Sequence, residues 1–301
     1  PWGKRDSKYF TTLLTVSPAG DELTLDFAKT LLLAEDLGQD AIPDYLSISF
    51  SSTDYVGHLF GSSSLEMEDN LLRLDRTLAE LFAFIDREVG LRHTLIVLSA
   101  DHGGPEAPGY LQELQQDARY VDREQFSTDS LNAGLRKTLG LDVDLVHTYF
   151  HPYVYLDHAK VAAEGLDLAT TQRALAATLM AYPSVAYTFT ANDIIHGLIK
   201  DNPIAAMVAA NHQPKRSGDV YVVFRSQSFI NDFDGLEVAA THGSVWRYDR
   251  HVPVVFAGNG LKGRTLSRPV TPYDIAPTLA NKLGIEVPSG AIGEPLPEIT
   301  E

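Results

Sequence analysis

Cysteine is absent, which removes disulfides, thiolate nucleophiles and cysteine-based zinc sites together. Any zinc in this chain must be held by histidine and carboxylate. Basic residues are scarce: 24 Lys and Arg stand against 40 Asp and Glu, a formal charge of -16. A field of that sign repels a nucleic-acid backbone, so no nucleic-acid polymer is expected as a partner. Long apolar runs are missing too. No stretch approaches the roughly 18 consecutive apolar residues of a membrane-spanning helix, and the longest, residues 145–156, is interrupted by His, Pro and Tyr and reads as core strands. No signal peptide is visible, and the start Pro1-Trp2-Gly3 without Met reads as trimming or a fragment.

What is present is a chain of 301 residues, 44% hydrophobic, long enough for one large α/β domain or two smaller ones. Residues 21–37 carry apolar positions at helical spacing, including Leu25, Ala28 and Leu32. Residues 44–50 read as a short buried strand. The spacing of Leu71, Leu74, Leu78, Leu81, Phe82 and Ile85 predicts a long helix over 64–89. Residues 94–99 read as a strand, and the order strand, helix, strand predicts a βαβ unit and a parallel sheet. Further on, 154–156, 220–225 and 253–257 read as strands, 168–182 and 273–284 as helices. Residues 112–213 have weaker βαβ character and are expected to form an inserted or capping region.

Three histidine–acid clusters stand out, and each follows an apolar strand or a tight turn. In Asp54-Tyr55-Val56-Gly57-His58, four-residue spacing puts a carboxylate and an imidazole on one helix face. A helix-capping Asp beside a surface His satisfies the same spacing. In Asp101-His102-Gly103-Gly104, two ligand-type residues end a strand and glycines remove bulk around them; a polar turn is the plainer reading. In Thr241-His242-Gly243-Ser244, a lone His precedes Gly, an arrangement that is more often structural. Taken together, Asp54, His58, Asp101, His102 and His242 offer oxygen and nitrogen ligands that suit two zinc ions in one cleft. Such a centre would supply positive charge for phosphoryl chemistry, which the acidic chain otherwise lacks. His147, His151 and His158 lie near a Tyr-rich run without spacing for a shared site and read as structural, as do His93 and His251.

The resemblance becomes specific at Ser52-Thr53-Asp54-Tyr55-Val56-Gly57-His58, at the acidic stretch containing Asp69 and Asp75, at Ser99-Ala100-Asp101-His102-Gly103 and at Ala240-Thr241-His242-Gly243-Ser244. With the tail from Val270 to Ile285, these motifs resemble bacterial alkaline phosphatases of the nucleotide pyrophosphatase/phosphodiesterase-like branch of the alkaline phosphatase superfamily. The resemblance spans residues 18–296. It implies an alkaline-phosphatase-like three-layer α/β sandwich with a largely parallel central sheet, incomplete at the N-terminus, of which residues 1–301 form the C-terminal part of a single catalytic domain.

The same resemblance implies that Asp54, His58 and His242 hold one zinc, and that Asp101 and His102 hold part of the second. In the family the second zinc also takes an N-terminal Asp and meets a Thr or Ser nucleophile. No segment here matches either, nor the phosphate-gripping Lys, Arg and Asn, so the nucleophile is expected upstream. The implied activity is hydrolysis of phosphate monoesters through a covalent phosphoenzyme, on a small-molecule phosphate ester. The alternatives are a phosphodiesterase or nucleotide pyrophosphatase on the same fold, and a catalytically silent metal-binding fragment. By the same analogy the expected location is periplasmic or secreted.

Overall fold

A computed structural model gives the fold and describes residues 6, 10–199, 201–233 and 235–300. In chain order its main elements are helix α1 (Pro18–Ala34), helix α2 (Ser52–Phe60), helix α3 (Leu65–Glu88), strand β1 (Leu95–Ser99), helix α4 (Thr128–Leu139), strands β2 (Val146–Phe150) and β3 (Tyr153–Leu156), helix α5 (Leu168–Met180), strand β4 (Val185–Thr190), helix α6 (Pro203–Asn211), strands β5 (Val220–Phe224) and β6 (Val254–Gly258), and helix α7 (Ile275–Leu283). The chain divides into two compact units, one made of Pro1–Gly103 with His251–Glu301, the other of Gly104–Arg250. Both mix helix and strand, and the expected α/β class holds.

In the first unit, α1 starts at Ser17, with Pro18 in its first turn, and buries Asp21, Leu25, Ala28 and Leu32 along one stripe. Helix α3 begins where the pattern predicted, with the Ser64 hydroxyl accepting from Met67 N at 3.1 Å. Its buried face is Asn70, Thr77, Leu81 and Phe84, whereas Leu71, expected inside, is exposed. The face is rotated because Asn70 turns inward to donate to Thr53 Oγ1 at 2.8 Å. Strand β1 pairs antiparallel with β6, with Ser99 opposite Val254 and Leu95 opposite Gly258. Helix α7 ends at Gly284 in the left-handed conformation, as the sequence indicated.

The βαβ unit expected here does not close among the described residues. Residues 44–50 alternate in burial, with Leu46, Ile48 and Phe50 half-buried and Tyr45, Ser47 and Ser49 exposed. They carry the period of a strand but no ladder partner among the described residues, and so are not a strand. Of the described strand pairs, the short one joining Arg119–Tyr120 to Ser228–Phe229 is the parallel one; the rest are antiparallel.

In the second unit, a four-stranded sheet runs in the order β2-β3-β5-β4. Every residue of β5 is buried, because both faces of the sheet are covered. Val220, Val222 and Phe224 face a cluster with Leu131 and Leu135 of α4 and Leu175 and Leu179 of α5. Tyr221 and Val223 point the other way, against Val208 of α6 and Val245. Each fully buried Leu or Val contributes roughly 1.5–3 kcal/mol over its exposed state, so this doubly covered strand is the unit's anchor. Asn132 of α4 is buried and serves as a polar clip, donating to Val146 O at 3.1 Å and accepting from Val146 N at 2.8 Å.

Candidate metal centre

Helix α2 carries Asp54 and His58, and its placement depends on a residue that the sequence reading did not single out. The buried Asp21 carboxylate of α1 accepts from the Ser52 amide at 3.0 Å and from the Thr53 amide and hydroxyl at 3.1 and 2.9 Å. It thus caps the N-terminus of α2 from a neighbouring helix, meeting amides that have no partner within the helix. Burial pushes the Asp21 carboxyl above its usual range, and the bonds from Thr53 and Ser52 pull the other way. Gly20 allows the two helices to approach this closely: a Cβ there would lie 2.1 Å from Ser52 Oγ. Asn70 and Thr53 complete the clamp.

With α2 fixed, the helical spacing acts as predicted. His58 is buried and its Nε2 lies 3.5 Å from Asp54 Oδ2. The other Asp54 oxygen lies 3.7 Å from His102 Nε2, and that nitrogen lies 3.6 Å from Asp101 Oδ2. Asp101 and His102 follow directly on β1, and the His102 amide donates to Asp101 Oδ1 at 3.1 Å. Four of the five residues singled out by sequence therefore stand together in the first unit, with the Asp54 carboxylate flanked by an imidazole on each side.

The separations discriminate between two kinds of contact. Hydrogen bonds between nitrogen and oxygen close to roughly 2.7–3.2 Å. Two donors sharing a tetrahedral zinc, each at roughly 2.0–2.1 Å from it, stand roughly 3.3 Å apart. Gaps of 3.5, 3.7 and 3.6 Å sit nearer the second geometry. His102 Nδ1 lies 2.9 Å from Gly103 O, so that nitrogen carries the proton and donates. The tautomer then leaves the lone pair on Nε2, the nitrogen facing the carboxylates, which is the arrangement of a metal-ligating imidazole tied by its far side to a backbone carbonyl. The donor set of carboxylate oxygens and imidazole nitrogens fits zinc.

His242 belongs to the second unit. It lines a recess with His151, Phe224, Thr241, Tyr248 and Asp249. The loop that bears it is pinned by buried Asp249, whose Oδ2 accepts from Ser244 N at 2.8 Å and Ser244 Oγ at 2.5 Å. His151, read from sequence as structural, contacts this loop. Crowding by neighbouring atoms pushes its imidazole down to about 4, against a backbone hydrogen bond with Gly243 that acts the other way, and the nearby His242 adds to the lowering. The residue is nonetheless exposed by area, so water moderates the shift and the direction, towards neutral imidazole, is what bears on the site.

Of the remaining histidines, His158 Nε2 lies 2.8 Å from Asp219 Oδ1. Asp219 is buried and also accepts from Leu156 N and Gln172 Nε2, each at 2.7 Å, a structural use of the pair. Trp246 donates to Phe224 O at 2.9 Å and packs in the core.

Residues 4–245 match the sequence profile described as type I phosphodiesterase / nucleotide pyrophosphatase. The chain belongs to that family. Within this nucleotide pyrophosphatase-like branch of the alkaline phosphatase superfamily it is similar to the alkaline phosphatase PafA of Elizabethkingia meningoseptica, 34% identical over 95% of this chain and 51% of that protein. The crystal structure of wild-type PafA superposes with a TM-score of 0.87 over 97% of this chain and 54% of that one, at 33% identity, which shows the alkaline-phosphatase-like fold. A protein of Myroides odoratus named as a calcium-transporting ATPase is 34% identical over 99% of this chain and 54% of its own length. The alkaline phosphatase PhoV of Synechococcus elongatus is 32% identical over 96% and 50%. The chain thus spans about half the length of the curated relatives it matches. Among the described residues no helix is long and apolar enough to cross a membrane.

Proposed function

We propose that this chain is part of a phosphatase that hydrolyses small-molecule phosphate monoesters at a two-zinc centre held by Asp54, His58, Asp101, His102 and His242. The observation that carries the reading is a pair of contacts at distances suited to shared metal ligation, His58 with Asp54 and His102 with Asp101, with the Asp54 carboxylate between the two imidazoles and the His102 tautomer fixed by Gly103. Membership of the family and the names of the relatives support the reaction class. Zinc bound there would supply concentrated positive charge against a phosphoryl group. Asp54 and His58, with His242, hold the first ion; Asp101 and His102 contribute to the second. The nucleophile and the residues that grip the phosphate are proposed to lie upstream of this chain, residues 112–213 to act as an inserted or capping region, and the whole protein to work in the periplasm or outside the cell.

A phosphodiesterase reading is favoured by the family's own description. Both readings are tested with the complete protein by measuring bound zinc together with the hydrolysis of p-nitrophenyl phosphate and bis-p-nitrophenyl phosphate. Monoester preference is expected; diester preference would move the assignment to the second reading. Asp54→Ala and His242→Ala are each expected to lose bound zinc and turnover, and full zinc with unchanged rates in either would remove the metal assignment.

A further inference from the structure

The loop carrying His242 is held at Ser244 by Asp249, and at Gly243 it lies against His151. His151 and Pro152 form the turn between β2 and β3, directly after the ladder pair of Phe150 with Tyr153. The imidazole has little freedom there. Its Nδ1 lies 2.9 Å from Tyr149 Oη, its ring stacks on Phe224 with centroids 5.6 Å apart and planes 10° apart, and Val222 N donates to Pro152 O at 2.8 Å to hold the turn against β5. Gly243 adopts a φ of +111°, and a Cβ on it would sit 3.6 Å from His151 Nε2. The glycine backbone therefore lies along the imidazole edge in a conformation that side chains rarely adopt.

The direction of each hydrogen bond follows from the chemistry of its partners. Burial pushes the Tyr149 phenol far above its usual value, so the hydroxyl keeps its proton and donates it to Nδ1. An imidazole that accepts at Nδ1 carries its proton on Nε2. Nε2 is the nitrogen beside Gly243, 3.6 Å from where a Cβ on that glycine would sit. The line of contacts runs from the Tyr149 hydroxyl through His151 to Gly243.

We infer that His151 is a positioning residue: with Tyr149 fixing its tautomer, its Nε2–H clamps the Gly243 backbone and so sets the direction of the adjoining His242 imidazole. The inference rests on the reading of His242 as a zinc ligand. It extends to this loop the part that Gly103 plays for His102, at one remove along the backbone.

The test uses the complete protein, with zinc affinity measured by competition against a chelator and with kcat and KM for p-nitrophenyl phosphate. His151→Ala is expected to weaken the more labile zinc by about 10- to 100-fold, the usual cost of losing a group that orients a ligand. His151→Gln keeps an N–H for Gly243 and an acceptor for Tyr149, and is expected to recover most of that loss; Tyr149→Phe should fall between. Thermal unfolding of the zinc-free variants separates misplacement of the loop from damage to the fold. Wild-type zinc affinity in His151→Ala, or equal losses in the Ala and Gln variants, would overturn the clamp while zinc loss in His242→Ala leaves the metal reading standing. Retention of zinc by His242→Ala would overturn both. If His151→Ala does not fold, Tyr149→Phe decides, and wild-type affinity in that variant counts against the clamp.

Discussion

Asp21 lies far along the chain from the residues it organises. Its carboxylate gathers the Ser52 and Thr53 amides at the start of α2, and two residues later the same helix presents Asp54. Asp21→Ala strips these buried donors of their acceptor. The expected cost is about 1–3 kcal/mol, read from urea unfolding, with weaker zinc retention because α2 loses its anchor. The carboxyl also carries a pH signature. Its folded pKa lies above the unfolded value of 3.8. Its contribution to stability is therefore complete below 3.8 and declines as pH rises through the raised folded value. Asp21→Asn abolishes that titration, so its unfolding midpoint should gain on the wild type across the window; parallel profiles would contradict the assignment. None of this was legible in the motif around Asp54, because the capping group comes from another helix. The i to i+4 pairing of Asp54 with His58 was legible, because helical geometry alone brings the two side chains together.

Among the elements, those whose pattern is local were readable. Helix α3 shows its extent in the spacing of its leucines, though of the leucines in that pattern Leu81 is the buried one, and β5 shows itself as an uninterrupted apolar run because both its faces are covered. Residues 44–50 have the composition of a strand, yet a strand exists only where another pairs with it, and pairing is a long-range property that the segment does not encode. The inward turn of Asn70, which rotates α3, is similarly set by Thr53 on another helix. Asn132 gives the element-scale test. It bridges α4 to both backbone groups of Val146 inside the core, so Asn132→Ala is expected to destabilise the protein by about 2 kcal/mol or more, seen as a lower urea midpoint without change in zinc content. An unchanged midpoint would mean that water replaces the clip.

At the scale of the whole molecule, the proposal that the nucleophile lies upstream of this chain has a direct test. Expressed alone, it is expected to turn over p-nitrophenyl phosphate at background rate, while the complete protein is active; robust hydrolysis by the chain alone would show that a residue within it attacks phosphorus.

The ladder between β1 and β6 has a further consequence. Ser99 and Val254 face each other across it, and all of Gly104–Arg250 is strung between those partners as though it were one very long hairpin loop. Loop-closure entropy grows only slowly with length, so the clasp tolerates a cargo of almost any size provided that the cargo's two ends emerge close together. That makes this junction a natural place for lineages to trade one module for another, and a practical seam for building chimaeras that keep the unit bearing Asp54 and His102 while changing what is carried beyond it.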